Sequence, residues 1–349
     1  MNYLLSIPLL IATGIAVGFL YQRLGAIFDL RRYASAGRWI NIGAGRSLYL
    51  LEKGEGDATV LFEAGIAATN LNWFHIQDTV SQFAATASYD RSGLGWSSPS
   101  STARTPGNLA AELHELLWQA DIRPPYILVG HSFGGLIMRR FALLYPEEVQ
   151  SVVLVDPMRC EEWPPLDPAK QATIDRTLKL SSCAIPIAQV GLARLAVTSL
   201  LCRSGRIAER LAGIGGDRGR HVLGRIKGEM DKLPREVWPL VAAHWSCPSY
   251  YEGMRSHVAA VPDSIREMLQ SGPIRGIPVL LLTPGKSTPL SDACLSQIGD
   301  AVTQVIAPDS AHWIHLDEPE LVIQSIREMV MAAAGSVATV PAVEAVGVG

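Results

Sequence analysis

The sequence predicts an α/β fold built on a mostly parallel sheet of eight strands flanked by helices. Short runs rich in β-branched residues alternate with longer stretches of helical periodicity, which is the pattern of a parallel sheet. The runs beginning at Tyr126, Ser151 and Ile277 are almost entirely apolar, as expected of strands covered by helices on both faces. In chain order, the predicted strands are Trp39–Ile42, Ser47–Glu52, Thr59–Glu63, Thr86–Asp90, Tyr126–Val129, Ser151–Asp156, Ile277–Thr283 and Ala301–Ala307.

The size and composition of the chain narrow the possible functions. Its 349 residues are 48% hydrophobic, enough for a sizeable core in one large domain with an insertion or in two domains. Because 30 Lys and Arg face 33 Asp and Glu, there is no basic excess to neutralise nucleic acid, and we expect no nucleic-acid partner. Five cysteines without a C-x-x-C pair argue against a disulfide scaffold and against a structural metal.

The N-terminal segment 1–22 is predicted to be a membrane anchor. It contains no charged side chain, and Leu4–Tyr21 is apolar over nearly the ~30 Å of the hydrocarbon core of a bilayer. A cleaved signal peptide is the main alternative, but a basic n-region is missing and the small residues Ala16 and Gly18 lie inside the apolar run.

A buried core helix is a further alternative for this segment, although Pro8, Gly14 and Gly18 are more typical of a membrane span. The positive-inside rule favours a cytoplasmic body over a periplasmic or secreted one, because the span is followed by Arg23, Arg31, Arg32 and Arg38. We therefore predict a single-pass protein whose body faces the cytoplasm.

The strand pattern is interrupted for about 120 residues after Asp156. We interpret residues 158–274 as a helical cap inserted between the core segments 39–157 and 275–331. The predicted cap helices are Gln189–Leu201, Arg206–Leu211, Gly224–Leu233 and Arg235–His244, with linkers marked by Pro164, Pro165, Pro168, Gly213, Gly215, Gly216 and Gly219. Residues 332–349, which are mostly Ala, Val and Gly, are predicted to be a disordered tail.

Ser132 is the candidate nucleophile. The predicted strand Tyr126–Val129 is followed at once by Gly-His-Ser-Phe-Gly-Gly and then by an amphipathic helix. The glycines allow a turn so tight that it would lift the Ser132 hydroxyl above the sheet at a helix N-terminus. The alternative is a glycine-rich turn in which Ser132 only caps the helix.

With these residues the chain resembles the α/β-hydrolase superfamily, in the branch with a helical cap between strands six and seven. The likeness spans residues 43–331 and includes Tyr89–Ser97, which looks like the D-x-x-G-x-G-x-S turn of this branch, and Val153–Pro157. The resemblance implies the α/β-hydrolase fold and a serine hydrolase. We expect the turn to be architectural, with Asp90 and Arg91 paired locally.

His312 is the candidate general base. It follows the last predicted strand, precedes a helix predicted over Pro319–Val330, and resembles the family's G-H-x-x-x-x-E-x-P segment. Its separation of 180 residues from Ser132 fits an intervening cap. The other histidines have simpler interpretations: His315 as a packing or surface group, His114 on a helix face, His131 as the neighbour of the nucleophile, and His244 as a cap residue that could line a pocket.

Two carboxylates compete for the role of orienting this histidine. The family's commoner position after strand seven is occupied by Thr288, and the nearest acid there is Asp292, in the first turn of a helix begun by Pro289. Asp156 lies at the family's other position, 24 residues beyond Ser132 at the end of strand six. We favour Asp156 and keep Asp292 as the alternative; an Asp before Pro157 can also simply organise a turn.

The backbone N–H groups of Phe133 and Ile66 are the expected oxyanion hole. Phe133 follows the nucleophile, and Ile66 is assigned by position, because Glu63–Ile66 replaces the family's usual His-Gly-x-Pro. Trp73 either walls an acyl pocket or belongs to the core.

The predicted function is hydrolysis of a lipophilic small-molecule carboxylic ester through an acyl-enzyme, without a cofactor. Amide cleavage, thioester cleavage and acyl transfer on the same triad are alternatives, as is a non-catalytic ligand-binding protein. A serine nucleophile argues against the epoxide hydrolase and haloalkane dehalogenase relatives, which attack with a carboxylate. The sequence predicts no oligomeric state, and it allows disulfides among Cys160, Cys183, Cys202 and Cys247 only if the body is periplasmic.

Overall fold

The fold is built on an eight-stranded sheet with strand order β1-β2-β4-β3-β5-β6-β7-β8. The computed structural model describes residues 3–163, 167–201 and 230–334 and the isolated positions Arg210, Gly213, Gly216, Arg220, Gly224, Lys227 and Gly228. The first two pairings, β1 with β2 and β2 with β4, are antiparallel, and all later ones are parallel. The strands are β1 Arg38–Asn41, β2 Ser47–Lys53, β3 Thr59–Glu63, β4 Ala85–Tyr89, β5 Tyr126–His131, β6 Val149–Val155, β7 Val279–Pro284 and β8 Val302–Ala307.

These strands and the flanking helices confirm the predicted fold class. Every predicted strand is present, with its ends within two residues of the prediction. Short 3₁₀ turns lie at Ala34–Ala36, Asn70–Trp73, Pro146–Glu148, Cys160–Glu162 and Arg235–Val237. The helices are α1 Tyr3–Tyr33, α2 Phe74–Val80, α3 Pro106–Ala120, α4 Phe133–Leu144, α5 Pro168–Gln189, α6 Leu192–Leu201, α7 Trp238–Trp245, α8 Pro248–Ala259, α9 Val261–Leu269, α10 Asp292–Ile298, α11 Ile314–Asp317 and α12 Pro319–Ala334.

Alternate residues of the central strands enter two separate cores. In β5, Leu128 packs on one face of the sheet in a cluster with Leu113 and Phe141, which belong to α3 and α4. Its neighbours Ile127 and Val129 pack on the other face. This alternation follows from the period of two along a strand, and it explains why the strands of a sheet covered on both faces read as continuous apolar runs.

Helix α1 continues well beyond the predicted span of residues 1–22. It runs to Tyr33, and in its second half Gln22 and Asp29 accept hydrogen bonds from Arg194 of α6. Within the described residues, the stretch Ile7–Ala36 is long and apolar enough to cross a membrane. Only 6% of the most apolar part of this stretch is buried against the rest of the protein. Helices α5 and α6, which meet at a bend, are also long and apolar enough to cross a membrane if the two are taken together as one span.

The cap differs from the prediction in several elements. Pro168, predicted to mark a linker, is the first residue of the 22-residue α5, where its fixed φ and missing N–H suit a helix start. The helix predicted from Gln189 is broken at Val190 and Gly191, so α6 begins at Leu192. Helices α8 and α9 were not predicted at all. Helix α7 corresponds to the predicted Arg235–His244: it begins three residues later, at Trp238, and ends one residue later, at Trp245.

Other cap predictions lie mostly outside the described residues. This applies to the helices over 206–211 and 224–233 and to the linker residues Pro164, Pro165, Gly215 and Gly219. Gly213 and Gly216 are described, and both are helical instead of linker positions. Of the predicted tail, residues 332–334 belong to α12 and the rest is outside the described part of the chain. Cys160, Cys183 and Cys247 are free thiols, and Cys202 is not described.

The turn after β4 is architectural, as expected, but its charges pair differently from the prediction. The buried Asp90 carboxylate accepts hydrogen bonds from the backbone N–H groups of Asn70, at 3.1 Å, and Trp96, at 3.0 Å. Burial raises the pKa of Asp90 to about 7. Arg91 is not the partner of Asp90: its guanidinium points to Glu63 at the end of β3, with Nη1 2.5 Å from Oε1. Two loops that follow neighbouring strands are therefore joined by a buried ion pair.

Substitution of Gly95, which lies in this turn, tests how closely the turn packs against Asp90. Its φ is +52°, and a Cβ there would lie 2.0 Å from Asp90 Oδ2. Gly45 is a matched control, because its φ is +70° and a Cβ would meet nothing within 4 Å. We expect Gly45→Ala to lower the free energy of unfolding by about 1–2 kcal/mol through backbone strain alone. Gly95→Ala should lose about 1–3 kcal/mol more, because Asp90 must also move. Denaturant unfolding of the full chain measures both, and equal losses would contradict the packing described.

Candidate active site

The ends of three parallel strands bring the candidate catalytic residues to one edge of the sheet. Ser132 follows β5, Asp156 follows β6, and His312 lies in the segment between β8 and α11. Strands β5 to β8 run parallel in consecutive pairs, so their carboxyl ends lie side by side. In open α/β sheets this edge is where functional loops collect.

Ser132 has a backbone conformation that is rare for a residue other than glycine, with φ of 52° and ψ of −119°. Its N–H donates to the carbonyl oxygen of Val155 at 3.1 Å, and its own carbonyl oxygen accepts from Gly135 and Met158 at 3.0 and 3.1 Å. Gly134 allows the close approach of β3, since a Cβ there would lie 2.5 Å from the Glu63 carbonyl oxygen. These contacts hold the strained turn and leave the side chain of Ser132 lining a cavity.

His312 and Asp156 are in direct contact. The Nδ1 of His312 lies 2.7 Å from Oδ2 of Asp156, and the Asp156 N–H is held by the carbonyl oxygen of Leu282 at 2.9 Å. Because a carboxylate accepts a proton in this hydrogen bond, the geometry assigns the proton of neutral His312 to Nδ1. The other ring nitrogen, Nε2, is then an acceptor. His312 lines the same cavity as Ser132.

The alternative acid, Asp292, lies elsewhere. It is exposed at the first residue of α10, where a carboxylate is favoured by the helix dipole. The predicted helix start at Pro289 is wrong by three residues, because α10 begins after Ser291. The structure therefore brings Asp156, and not Asp292, to the Nδ1 of His312.

The two predicted oxyanion donors flank Ser132. Phe133 is the first residue of α4, where backbone N–H groups have no acceptor within the helix, and its side chain is buried. Ile66 lies after β3 and lines the cavity together with Ser132. Ile66 also packs against the cluster that contains Phe133. The structure thus places both residues beside the candidate nucleophile.

Arg91 fixes the loop that carries Ile66. Besides its ion pair with Glu63, Arg91 donates from Nη1 to the carbonyl oxygen of Ala64 at 2.7 Å and from Nη2 to that of Gly65 at 2.5 Å. The Tyr89 hydroxyl also donates to the Glu63 carboxylate. Burial raises the pKa of the Glu63 carboxyl, and the charge of Arg91 opposes this shift. Glu63, which stands where the family usually has His, therefore serves as the anchor of this loop.

His131 has a contact that the sequence prediction missed. Its Nε2 lies 2.9 Å from the carbonyl oxygen of His312, 181 residues away, and the two imidazole rings are 4.7 Å apart. Burial lowers the pKa of His131 to about 3, so the ring is neutral at neutral pH, and the contact assigns its proton to Nε2. In the sequence, only the position of His131 next to Ser132 could have indicated that it belongs to the site. His131 thus connects the nucleophile turn to the His312 segment.

The cavity above these residues has a volume of about 410 Å³. Its wall combines residues of the core edge with cap residues from α5, α7 and α8. The wall is mainly apolar, and it includes Met158, Trp163, Ile174, Leu233, Val241, Trp245, Met254, Val258, Val261, Trp313 and Leu316. Such a cavity fits the hydrocarbon part of a small molecule better than a charged one.

The remaining predicted residues fall into the core or the cap. Trp73 is a fully buried core residue and does not line the cavity. Its ring centre lies 5.2 Å from that of Phe62 and 4.7 Å from that of His315. His315, predicted to be a packing or surface group, is buried and packs in the core. His244 lines the cavity, as suggested for a cap residue, and contacts Trp96 at 4.6 Å between ring centres. His114 lies on α3, where its ring stacks on Tyr145.

Part of the chain is similar in sequence to known proteins. Residues 58–177 match the family model of the α/β hydrolase fold. The chain is 34% identical over 105 residues to the uncharacterized protein YqjL of Bacillus subtilis, an alignment that covers 30% of this chain and 42% of that protein. The chain thus spans less than half the length of this relative.

Solved structures are similar over most of the chain. The esterase EaEST of Exiguobacterium antarcticum superposes with a TM-score of 0.60 at 16% identity, covering 84% of this chain and 99% of that one. The epoxide hydrolase CorEH superposes with a TM-score of 0.61 at 16% identity, covering 85% and 99%. At these identities the likeness concerns the fold. Together with the family match over residues 58–177 and the strand order, it confirms the α/β-hydrolase fold that the resemblance implied.

Proposed function

We propose that the protein is a serine hydrolase that cleaves a lipophilic carboxylic ester through an acyl-enzyme intermediate. Ser132 is the nucleophile, His312 the general base and acid, and Asp156 the carboxylate that orients His312. The backbone N–H groups of Phe133 and Ile66 form the oxyanion hole. The observation that carries the proposal is the 2.7 Å contact between His312 Nδ1 and Asp156 Oδ2 at a cavity that Ser132 also lines.

The mechanism follows from the assigned tautomer of His312. With its Nδ1 proton held by Asp156, Nε2 takes the proton of the Ser132 hydroxyl as Oγ bonds to the ester carbonyl carbon. The oxyanion is stabilised by the two backbone N–H groups. His312 then returns the proton to the alcohol oxygen as the carbon–oxygen bond breaks. Water, activated by the same nitrogen, releases the acid and regenerates Ser132.

The lining of the cavity supports an apolar acyl or alcohol group. Trp163, Ile174 and Trp245 stand on the cap side of the cavity, and Met158 and Leu316 border the core edge. A volume of about 410 Å³ lies in the range of small-molecule sites, roughly 300–1,000 Å³. We therefore propose esters of medium size with apolar chains as substrates.

We further propose that α1 anchors the protein in a membrane as a single pass. Its side chains from Ile7 to Phe19 are largely exposed and apolar, and the sequence before Arg23 is free of charge. Exposure of such a long apolar face to water is unfavourable, whereas a bilayer would cover it. The arginines after the span, including Arg31 and Arg32, favour a cytoplasmic body.

Ser132→Ala should abolish the proposed activity. Removing the nucleophile of a serine triad lowers kcat by roughly 10³–10⁶-fold. Hydrolysis of p-nitrophenyl esters by the purified full chain measures this loss, and labelling with a fluorophosphonate, which requires an activated serine, should disappear in parallel. Substantial turnover by the variant would show that another residue attacks the ester.

A matched pair of variants tests the orienting acid. Asp156→Asn should lower kcat by about 10⁴-fold, because an amide does not hold the Nδ1 proton in the required tautomer. Asp292→Asn removes an exposed charge at the start of α10 and should leave kcat unchanged. The same ester assay compares them. A loss confined to the Asp292 variant would reverse the assignment.

His131 is expected to act as a positioning residue. In His131→Phe the donor to the His312 carbonyl oxygen is lost, and we expect kcat to fall by about 10–100-fold through misplacement of the base, with KM little changed. His131→Gln can place its amide N–H near the same oxygen, so it should recover most of the rate. Steady-state kinetics of both variants would contradict this role if Phe and Gln behaved alike.

A further inference from the structure

Helix α1 is not a free tether, because it packs directly on the corner where α5 meets α6. The backbone of Gly18 lies so close to this corner that a Cβ would be 2.4 Å from the Val190 carbonyl oxygen. On the other side, a Cβ at Gly191 would lie 2.8 Å from the ring of Tyr21. Glycine at both positions thus permits backbone contact between the anchor and the cap.

A buried polar contact fixes the register of this packing. Arg194 of α6, only 7% exposed, donates from Nε to the side chain of Gln22 at 3.0 Å and pairs through Nη1 with Asp29. Burying these groups is favourable only while they remain paired. The depth of the cap along α1 is therefore set by specific contacts.

The position of these contacts along α1 determines where the cap meets a bilayer. Gly18 and Tyr21 lie five and two residues before Arg23, which is the first charge after the span and is exposed. At 1.5 Å per residue, the corner contacts α1 about 3–8 Å to the apolar side of Arg23. If the apolar part of the membrane ends at Arg23 or later in α1, the corner lies within the membrane.

The exposed surface of the corner matches this location. The helices α5 and α6 are bent by 95° at Val190 and Gly191. No charged residue occurs from Leu180 to Ala193, and the charge of Arg194 is buried against α1. Large apolar side chains point outwards on both sides of the bend, between 41% and 54% exposed: Leu180, Ile187, Leu192 and Leu195.

Basic residues lie at the edge of this apolar surface. Arg176 and Lys179 of α5 are exposed, four and one residues before Leu180, where the uncharged part of that helix begins. Long cationic side chains near the end of an inserted segment reach the anionic headgroups while their methylene groups cover apolar surface. The distribution of charge and apolar side chains on α5 is that of a helix entering a lipid surface.

We propose that the α5–α6 corner, residues 180–195, inserts into the leaflet from which α1 emerges, so that the cap rests on the membrane. This inference rests on the anchor proposed above and is independent of the hydrolytic mechanism. Exposed side chains of the corner contact lipid acyl chains near the headgroups, and the cap, which walls the cavity, is held at the surface where apolar esters concentrate.

Site-directed fluorescence quenching tests the insertion in the full chain reconstituted into phosphatidylcholine vesicles with a fraction of phosphatidylglycerol. Monobromobimane is attached to Leu195→Cys, to Ile11→Cys within α1, and to Leu269→Cys as a matched control. Leu269 of α9 is 42% exposed, against 41% for Leu195. The parent chain, treated identically, corrects for the native thiols. A phospholipid spin-labelled on its acyl chain and aqueous iodide serve as quenchers.

We expect the acyl-chain spin label to quench positions 11 and 195, and iodide to quench position 269. Quenching of position 11 by lipid with position 195 accessible to iodide would overturn the insertion while leaving the anchor intact. Position 195 protected from both quenchers would also overturn it, because a protein surface such as a second copy would then cover the corner. If neither 11 nor 195 is quenched by lipid, both the anchor and the insertion fail. Ester hydrolysis by the unlabelled chain, measured in the same vesicles, tests the proposed chemistry separately.

Discussion

The positive φ of Ser132 is the constraint on which the rest of the site depends. A residue with a side chain adopts this conformation at a cost of about 1–3 kcal/mol, so it persists only where its surroundings enforce it. Its N–H is held by Val155 of β6, and its carbonyl oxygen is held by Gly135 of α4 and by Met158. Met158 lies at the beginning of the cap. A single strained residue thus joins the end of the central strand, the start of a helix and the first residues of the cap.

Buried polar groups fix the loops on both sides of Ser132. Arg91 holds the carboxylate of Glu63 and two carbonyl oxygens of the loop that carries Ile66. Removing one partner of such a buried pair typically costs about 3–5 kcal/mol, so the loop has little freedom. On the other side of Ser132, the neutral His131 holds the His312 segment without adding a charge to the site. A charged imidazole there would compete for the carboxylate of Asp156.

The sequence predicted the parts of this arrangement that are encoded locally. The eight strands are apolar runs bounded by turns, and Ser132, Asp156 and His312 each follow a strand within one to five residues. The pairing of Arg91 with Glu63, which are 28 residues apart, was missed because a buried cation chooses its partner by tertiary packing. For the same reason the sequence does not reveal the contact of His131 with the His312 carbonyl oxygen. Helix α5 had a local signal that was misread: Asp167 caps it by accepting from the N–H of Ala169 at 2.6 Å, and Pro168 opens it.

The contacts of α1 connect the proposed anchor to helices that line the cavity. Helices α5 and α7 both pack against α1, and both contribute residues to the cavity, among them Ile174 and His244. An anchor joined through a flexible linker would leave the cap free to take any orientation relative to a bilayer. Here the contacts at Gly18 and Arg194 make α1 and the cap one packed unit. Any tilt of the proposed anchor in a membrane would therefore move the cap helices that pack against α1.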